Sequence, residues 1–161
     1  MDTLDSRRVR AFFSEIVARK PLTARPASVV VTHLLPDRPF FLDAVSRVTD
    51  IVALLPKPKT ESFEVRGWLK HRFPIHRLNR DLFSSKQTAI AFLEPIIRDK
   101  NFVLIDIGGY FSPSLEAIAE RFDTKLMGVV EDTENGIQKY EALRQHPCPI
   151  IHVARLRTHN Q

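Results

Sequence analysis

The chain alternates short apolar runs with longer segments of helical spacing, and this alternation predicts the order of its strands and helices. Five runs are rich in β-branched residues, as buried strands are, and a sixth run is weaker. The five strong runs lie at residues 28–35, 50–56, 102–109, 125–132 and 149–155, and the weaker one at residues 73–79. A first helix is predicted at residues 4–20, followed by helices at residues 39–48, 60–72, 84–100, 112–122 and 133–146.

Strands of about six residues that alternate with helices of about twelve imply crossover connections between parallel strands. Such crossovers place helices on both faces of the sheet. We therefore predict an α/β fold, a Rossmann-like three-layer sandwich with a mostly parallel sheet of about six strands. Residues 1–27 are expected to form an N-terminal helix and linker, and residues 28–161 a single α/β module.

Polar residues at the start of several helical segments are suited to capping. Thr60 is expected to cap the helix that follows it, and Ser84 or Ser85 the next one. Ser112 stands directly before a proline, which is the preferred order for a cap and a first helical position.

The composition fits one globular domain and excludes several classes of protein. With 161 residues, 43% of them hydrophobic, the chain can bury a sizeable core. No stretch approaches about 18 consecutive apolar residues, and the N-terminus lacks the apolar core of a secretory signal, so no membrane association is predicted. Cys148 is the only cysteine, which suits a reducing compartment, and a cytoplasmic location is expected.

The positive charge lies in the first half of the chain. Residues 1–80 hold 15 Lys and Arg against 8 Asp and Glu, whereas residues 81–161 hold 9 against 11. The basic residues are spread among apolar ones, without a run of five or more. That distribution is typical of a solvated surface, and nucleic acid is not the expected ligand.

The stretch FVLIDIGGYF, residues 102–111, places one carboxylate inside an apolar run and follows it with two glycines. In open parallel sheets, ligands bind at the carboxyl ends of the strands, near a reversal of strand order. Asp106 would lie at such a strand end, and Gly108 and Gly109 permit a sharp turn or a close approach to a ligand. The helix that follows would present unpaired N–H groups. These residues predict a small-molecule site.

A second polar cluster follows the next strand, in the segment GVVEDTENG at residues 128–136. Glu131 and Asp132 are adjacent, so in an extended chain their side chains point to opposite sides and at most one faces a given pocket well. Thr133 can cap the following helix, and an acidic helix start without any ligand is an alternative that stays open. Where the strand tips converge, Asp106 and this cluster are expected to line a common hollow.

Other strand ends supply further polar groups, while several known motifs are missing. His33 and Asp37 follow the first predicted strand, Lys57 and Lys59 the second, and Asn79 the third. The chain contains neither G-x-G-x-x-G nor G-x-x-x-x-G-K-[ST], so no dinucleotide or triphosphate cradle is encoded. The six histidines show only one loose pair with metal-ligand spacing, and no metal site is expected.

Three segments, VLIDIGGYFSPSLEAIAERF, GVVEDTENGIQKYEAL and PCPIIHVAR, follow one another in the second half of the chain. In order and spacing they resemble the substrate-binding domain of S-adenosylhomocysteine hydrolase and its divergent bacterial relatives. That family shows an acidic-Gly-Gly strand end, a Gly-x-x-Glu-acid-Thr-x-x-Gly segment leading into a helix, and a Pro-x-Ile-x-Val strand. The resemblance covers residues 102–155 and, more loosely, residues 28–60.

The resemblance implies a stand-alone homologue of that substrate domain. His33 and Asp37 would contact a nucleoside, Asp132 would match the family's active-site glutamate, and Thr133 would match a cofactor-contacting threonine. The family binds NAD in a second Rossmann domain, which these 161 residues do not include, so NAD binding would require a partner domain and the chain alone is not expected to run the hydrolase reaction. Ile107 also stands where the family has its catalytic aspartate, directly before the two glycines.

Three classes of function stay open. The first is a protein that binds a nucleoside-like or small polar ligand, with the expected contacts at His33, Asp37, Gly108, Gly109, Glu131 and Thr133. The second is an enzyme of altered chemistry, or half of a split NAD-dependent enzyme, in which Asp132 or Asp106 is the acid/base group. The third is an interaction or regulatory module that forms a homodimer or binds another protein through an apolar surface near residues 152–155.

Overall fold

A computed structural model of the chain describes residues 4–19, 24–79 and 81–155. These ranges contain five strands and six α-helices, which alternate except that two helices follow the second strand. The strands are β1 (Ala27–Leu34), β2 (Asp50–Glu61), β3 (Phe102–Asp106), β4 (Leu126–Glu131) and β5 (Ile150–His152). The helices are α1 (Leu4–Arg19), α2 (Arg38–Val48), α3 (Phe63–Leu69), α4 (Lys86–Ile97), α5 (Leu115–Phe122) and α6 (Glu134–Glu141).

All five strands pair in parallel within one sheet of order β2-β1-β3-β4-β5. Apolar side chains form a buried cluster on each face. The larger cluster joins the sheet to α4, α5 and α6 and includes Leu93, Leu115 and Tyr140. The smaller cluster joins the other face to α2 and α3 and includes Leu42 and Leu69. The predicted Rossmann-like α/β sandwich is therefore confirmed, with five strands rather than about six.

The order of the strands reverses beside β1. The chain passes from β1 to β2 on one side of it, and later places β3 on its other side. The loops that leave the carboxyl ends of β1 and β3 therefore diverge, and the crevice between such loops is where open parallel sheets bind ligands. We therefore expect a ligand site at the carboxyl ends of β1, β2 and β3.

The weak strand predicted at residues 73–79 is wrong. This segment makes a single bridge to the sheet, between Ile75 and Leu54. Leu54 N donates to Pro74 O at 2.8 Å, and His76 N donates to Leu54 O at 2.9 Å. Pro74 has no N–H group to donate in return, which is one reason that the pairing does not extend into a ladder.

The helix after β2 begins later than the sequence pattern indicates. Thr60 was expected to cap it, but β2 continues to Glu61, so Thr60 is still part of the strand. Ser62 caps α3 instead, because its Oγ accepts a hydrogen bond from Val65 N at 3.4 Å. Ser85 precedes α4 as expected, without a side-chain capping hydrogen bond.

The N-terminal helix α1 packs against α2. The rings of Phe13 and Phe41 meet edge to face, with centroids 6.1 Å apart. The linker predicted after this helix falls partly on residues 20–23, which lie outside the described ranges. Within those ranges, no helix has the length and apolar character needed to cross a membrane.

Candidate functional site

Asp106 ends β3 as a fully buried acceptor of hydrogen bonds. Its Oδ1 accepts from Ile107 N at 2.8 Å, and its Oδ2 accepts from Phe111 N at 3.1 Å and from the Tyr140 hydroxyl at 2.6 Å. Burial raises the pKa of Asp106 to about 6; the Tyr140 hydrogen bond acts in the opposite direction, and the charge of Glu131 adds to the rise. The side chain thus joins the turn after β3 to α6.

Glu131 ends β4 directly beside Asp106 in the parallel register and is equally buried. Its carboxylate accepts hydrogen bonds from Gly108 N at 3.0 Å and Gly109 N at 2.9 Å. It also accepts from Thr133 N at 2.7 Å and the Thr133 hydroxyl at 2.6 Å. The φ angles of the two glycines, 108° and 68°, are ones that L side chains rarely adopt. The double glycine therefore lets consecutive N–H groups bind the protein's own carboxylate.

Gly136 permits the first turn of α6 to lie directly on that carboxylate. A Cβ at this position would stand 2.1 Å from Glu131 Cδ and 2.3 Å from each carboxylate oxygen. Thr133 Oγ1 accepts from Gly136 N at 3.1 Å, so the prediction that Thr133 caps the last helix is confirmed. Glu131, the double glycine and the start of α6 form one packed unit.

The tips of β3 and β4 converge as expected, but the hollow between them is filled. Asp106 and Glu131 are 0% exposed, and their oxygens accept hydrogen bonds from the protein itself. The expectation that a ligand occupies this hollow is therefore corrected. An acid/base role for Asp106 and a ligand contact for Glu131 stay predictions, and the closed packing gives neither of them access to a ligand.

An open cleft lies further along the same edge, at the carboxyl ends of β1 and β2 beside the strand-order reversal. We call it the histidine cleft; its volume is about 500 Å³. Its lining residues are His33, Lys57, Pro58, Lys59, Thr60, Leu78, Asn79 and Tyr110. His33 Nδ1 hydrogen-bonds with the Thr60 hydroxyl, which fixes the ring, and no described residue hydrogen-bonds with its Nε2. The second ring nitrogen is thus available to a ligand.

The surroundings of His33 favour its neutral form. Partial burial lowers the pKa of this imidazole, and the positive charges of Lys57 and Arg38 lower it further. The acids Asp132 and Asp37 act in the opposite direction. The structure therefore brings three predicted site residues within electrostatic reach of one another, and a neutral imidazole can accept or donate one hydrogen bond at Nε2.

The two acids near His33 occupy exposed positions. Asp132 is exposed although its neighbour Glu131 is fully buried, as expected for adjacent residues at a strand end. Partial loss of surrounding water raises the pKa of Asp132, while the charges of Arg38 and His33 oppose the rise. Asp37 precedes α2 without capping it through its side chain, and its Oδ2 lies 3.6 Å from Arg38 Nε.

A second opening adjoins the histidine cleft and shares Lys57 and Tyr110 with it. We call it the lysine pocket; its volume is about 380 Å³. Its lining residues are Lys57, Gly108, Gly109, Tyr110, Pro113, Asn135 and Lys139. Lys139 Nζ donates to Gly108 O at 2.6 Å, and Lys57 Nζ lies 5.7 Å from the centroid of the Tyr110 ring. The predicted contacts Gly108 and Gly109 thus border an open space although their N–H groups bind Glu131.

Sequence reasoning missed two residues of this region. Lys139 follows Gly136 by three positions, a spacing that puts both residues on one face of a helix. A prediction that Gly136 packs against the end of β4 would therefore also have placed Lys139 at the strand ends. Tyr140 follows Ile137 by three positions and could be assigned to the core, but nothing in the local pattern names Asp106 as the partner of its hydroxyl.

A larger groove elsewhere lacks the groups that orient a polar ligand. It has a volume of about 550 Å³ and is lined by α1 and α2, without any strand residue. Apart from Arg19, its lining residues are apolar, among them Phe41 and Val48. We therefore assign the candidate site to the strand ends. Within the described ranges, no group of three or more His, Cys, Asp or Glu side chains could hold a metal ion.

The topology and the open strand-end cleft define the class of this protein, a Rossmann-like α/β sandwich with a parallel sheet. No protein-family model matches the chain, and no curated protein matches it significantly. The relationship to S-adenosylhomocysteine hydrolase therefore stays a prediction.

Proposed function

We propose that this chain binds a small polar, nucleoside-like ligand in the histidine cleft. One observation carries the proposal: an open cleft of about 500 Å³, lined by convergent polar groups, at the reversal of strand order. Both its volume and its place in the sheet are typical of small-molecule sites in α/β proteins.

The lining of the cleft complements the parts of a nucleoside. The Tyr110 ring offers apolar surface to a base. Asn79 Oδ1 accepts from Leu82 N at 2.7 Å, which orients the amide so that its NH₂ group can donate to a ligand. His33 Nε2 can hydrogen-bond with a hydroxyl group. A flat ring with polar edges and a sugar would satisfy these groups together.

In this proposal the chain is a stand-alone relative of the substrate domain of S-adenosylhomocysteine hydrolase. The protein positions the ligand, and NAD-dependent chemistry would require a separately encoded partner domain. The proposal is restricted to binding, because the two carboxylates at the tips of β3 and β4 are closed off from the cleft.

Thermal unfolding in the presence of adenosine, S-adenosylhomocysteine, homocysteine and NAD tests this proposal. A ligand at about 100 times its dissociation constant is expected to stabilise the fold by about 2.7 kcal/mol. The substitution His33→Ala should weaken binding measured by calorimetry, whereas His71→Ala, at an exposed position outside the cleft, should leave it unchanged. The absence of a shift with all four compounds would contradict the proposal.

A second candidate function, association with another copy of the chain, is favoured by the outer edge of the sheet. β5 is an edge strand, and no described strand lies beyond it. Ile151 and Val153 are 55% and 38% exposed there, and Met127 on β4 is 49% exposed. A two-fold axis would pair two β5 strands and cover their free main-chain groups. Sedimentation of the protein and of the Ile151→Lys variant tests this, and a concentration-independent monomer would contradict it.

A further inference from the structure

We propose that the ligand of the histidine cleft carries a dianionic group of the phosphate class, bound between Lys57 and Lys139 in the lysine pocket. This inference rests on the proposed function. It adds the charge of the ligand and the place where its anionic end binds.

Two ammonium groups approach the same stretch of backbone. Lys139 Nζ donates to Gly108 O at 2.6 Å. Lys57 Nζ lies 3.5 Å from the point that a Cβ on Gly108 would occupy. Both positive charges therefore lie close to Gly108 and border one pocket, where they repel each other unless an anion is present between them.

Neither ammonium group has a carboxylate partner among the residues that the structure describes. The situation differs at the amino ends of the strands, where Lys100 pairs with Asp50 at 2.7 Å and Lys125 pairs with Asp99 at 2.8 Å. Other lysines, such as Lys70 and Lys86, also lack a carboxylate partner within the described ranges, but Lys57 and Lys139 differ from them because both border the lysine pocket.

The buried carboxylate of Glu131 does not supply the missing partner. It lies beside the same backbone, but its oxygens already accept hydrogen bonds from two glycine N–H groups and from the N–H and hydroxyl of Thr133. Because Glu131 occupies the N–H groups of the double glycine, a ligand anion cannot bind to them. The charge that attracts an anion at this edge comes from the lysine side chains.

A phosphate group fits this arrangement better than a neutral one. Lysine binds phosphate as a point charge, and two ammonium groups balance one dianion. The lysine pocket and the histidine cleft share Lys57 and Tyr110, so one molecule can extend from one space into the other. Lys59 borders the histidine cleft and adds positive potential along the path. A phosphorylated nucleoside would place its ring beside Tyr110 and its phosphate at the lysines.

Calorimetry at low ionic strength with adenosine, adenosine 5′-monophosphate and inorganic phosphate tests the inference. The monophosphate should bind about tenfold or more tightly than adenosine. Lys57→Met and Lys139→Met should each remove about that gain, whereas the control Lys100→Met, at the amino ends of the strands, should not. The chain has only five glycines, so the amide resonances of Gly108 and Gly109 can be assigned and followed with each ligand. Thermal unfolding of each variant establishes that it is folded.

The outcomes separate the two proposals. Equal affinity for adenosine and its monophosphate would leave the proposed function standing and overturn the anionic class. Equal weakening by Lys100→Met would overturn it as well, since the attraction would then be non-specific. If inorganic phosphate binds in a way that depends on Lys57 and Lys139 and adenosine does not bind, the anion site would be supported and a nucleoside-like ligand contradicted. No binding of any of the three compounds would overturn both.

Discussion

The substitution Gly136→Ala is expected to destabilise this protein, although Gly136 lies in a helix. A helical Gly→Ala change ordinarily stabilises a protein by about 0.5–1 kcal/mol, because alanine loses less backbone entropy on folding. Here the new Cβ would stand 2.1 Å from Glu131 Cδ. Either the carboxylate or the first turn of α6 must move, and both are held by hydrogen bonds.

The magnitude follows from what Glu131 would lose. A hydrogen bond to a charged group contributes about 1.5–3 kcal/mol, and the Glu131 carboxylate accepts from Gly108, Gly109 and twice from Thr133. Overpacking a closed site adds about 1–3 kcal/mol. Since a shift of α6 would preserve some of these bonds, we expect a net loss of about 3–5 kcal/mol, which is a large part of the stability of an ordinary domain.

Urea unfolding followed by circular dichroism provides the measurement, with Gly67→Ala as the matched control. Gly67 lies in α3, and a Cβ there would have no neighbour within 4 Å, so this variant should gain about 0.5–1 kcal/mol. In a Glu131→Ala background the Gly136→Ala penalty should largely vanish, because the clashing group is absent. A Gly136→Ala protein as stable as Gly67→Ala would refute the packing of α6 on Glu131.

The remaining predictions concern the same buried region. Asp106→Asn should lose about 2–4 kcal/mol in urea unfolding, because an amide NH₂ group only donates, so in either orientation it faces a donor, Ile107 N or Phe111 N. Because the pKa of Asp106 is raised to about 6, the folded state keeps the Asp106 proton up to a higher pH than the unfolded state does. The contribution of Asp106 to the free energy of unfolding should therefore fall by about 3 kcal/mol as pH rises from about 4 to about 6, and stay constant above about pH 6. Subtracting the pH profile of Asp106→Asn isolates this slope, and an absent or rising difference would contradict it. Tyr140→Phe should raise the pKa of Asp106 further, which carboxyl-carbon NMR can follow, since the Tyr140 hydrogen bond favours the ionised form. Thr133→Val should lose about 1–2 kcal/mol through its cap to Gly136 N, a loss that an unchanged unfolding midpoint would disprove.

Local patterns were sufficient to predict most of the fold. A buried parallel strand needs a continuous apolar run, and a crossover helix needs apolar residues at helical spacing, so both can be recognised within a short window. The prediction at residues 73–79 failed because the single bridge of Ile75 depends on Leu54, which lies 21 positions earlier in the chain. The sequence shows that Pro74 has no N–H donor, which argues against a regular strand there, but it does not show that the Pro74 carbonyl accepts from Leu54 N.

Part of the candidate site could likewise be predicted from the sequence, and part could not. The position of Asp106 and of the double glycine at a strand end could be predicted, because topology alone places them there. What surrounds them could not, since the hydroxyl of Tyr140 lies 34 residues further along the chain and the ammonium group of Lys139 lies 31 residues beyond Gly108. Such contacts require the packing of α6 on the sheet, which no local pattern specifies.

Asp106 and the double glycine gave the strongest indication of a ligand site in the sequence, and they stabilise the fold instead. The side chains that line the open histidine cleft were indicated only by weaker sequence patterns. In doubly wound proteins a glycine-rich turn ordinarily offers its N–H groups to the anion of a ligand. Here the next strand supplies that anion from within, as Glu131. In the proposed function, contact with the ligand is then left to Lys57 and His33 on neighbouring strands and to Asn79 in the irregular segment between α3 and α4. Substitutions at Asp106 or Glu131 should then change the free energy of unfolding, whereas substitutions at the cleft residues should change affinity with little effect on stability. Loss of binding at full stability in an Asp106 variant would show that this division is wrong.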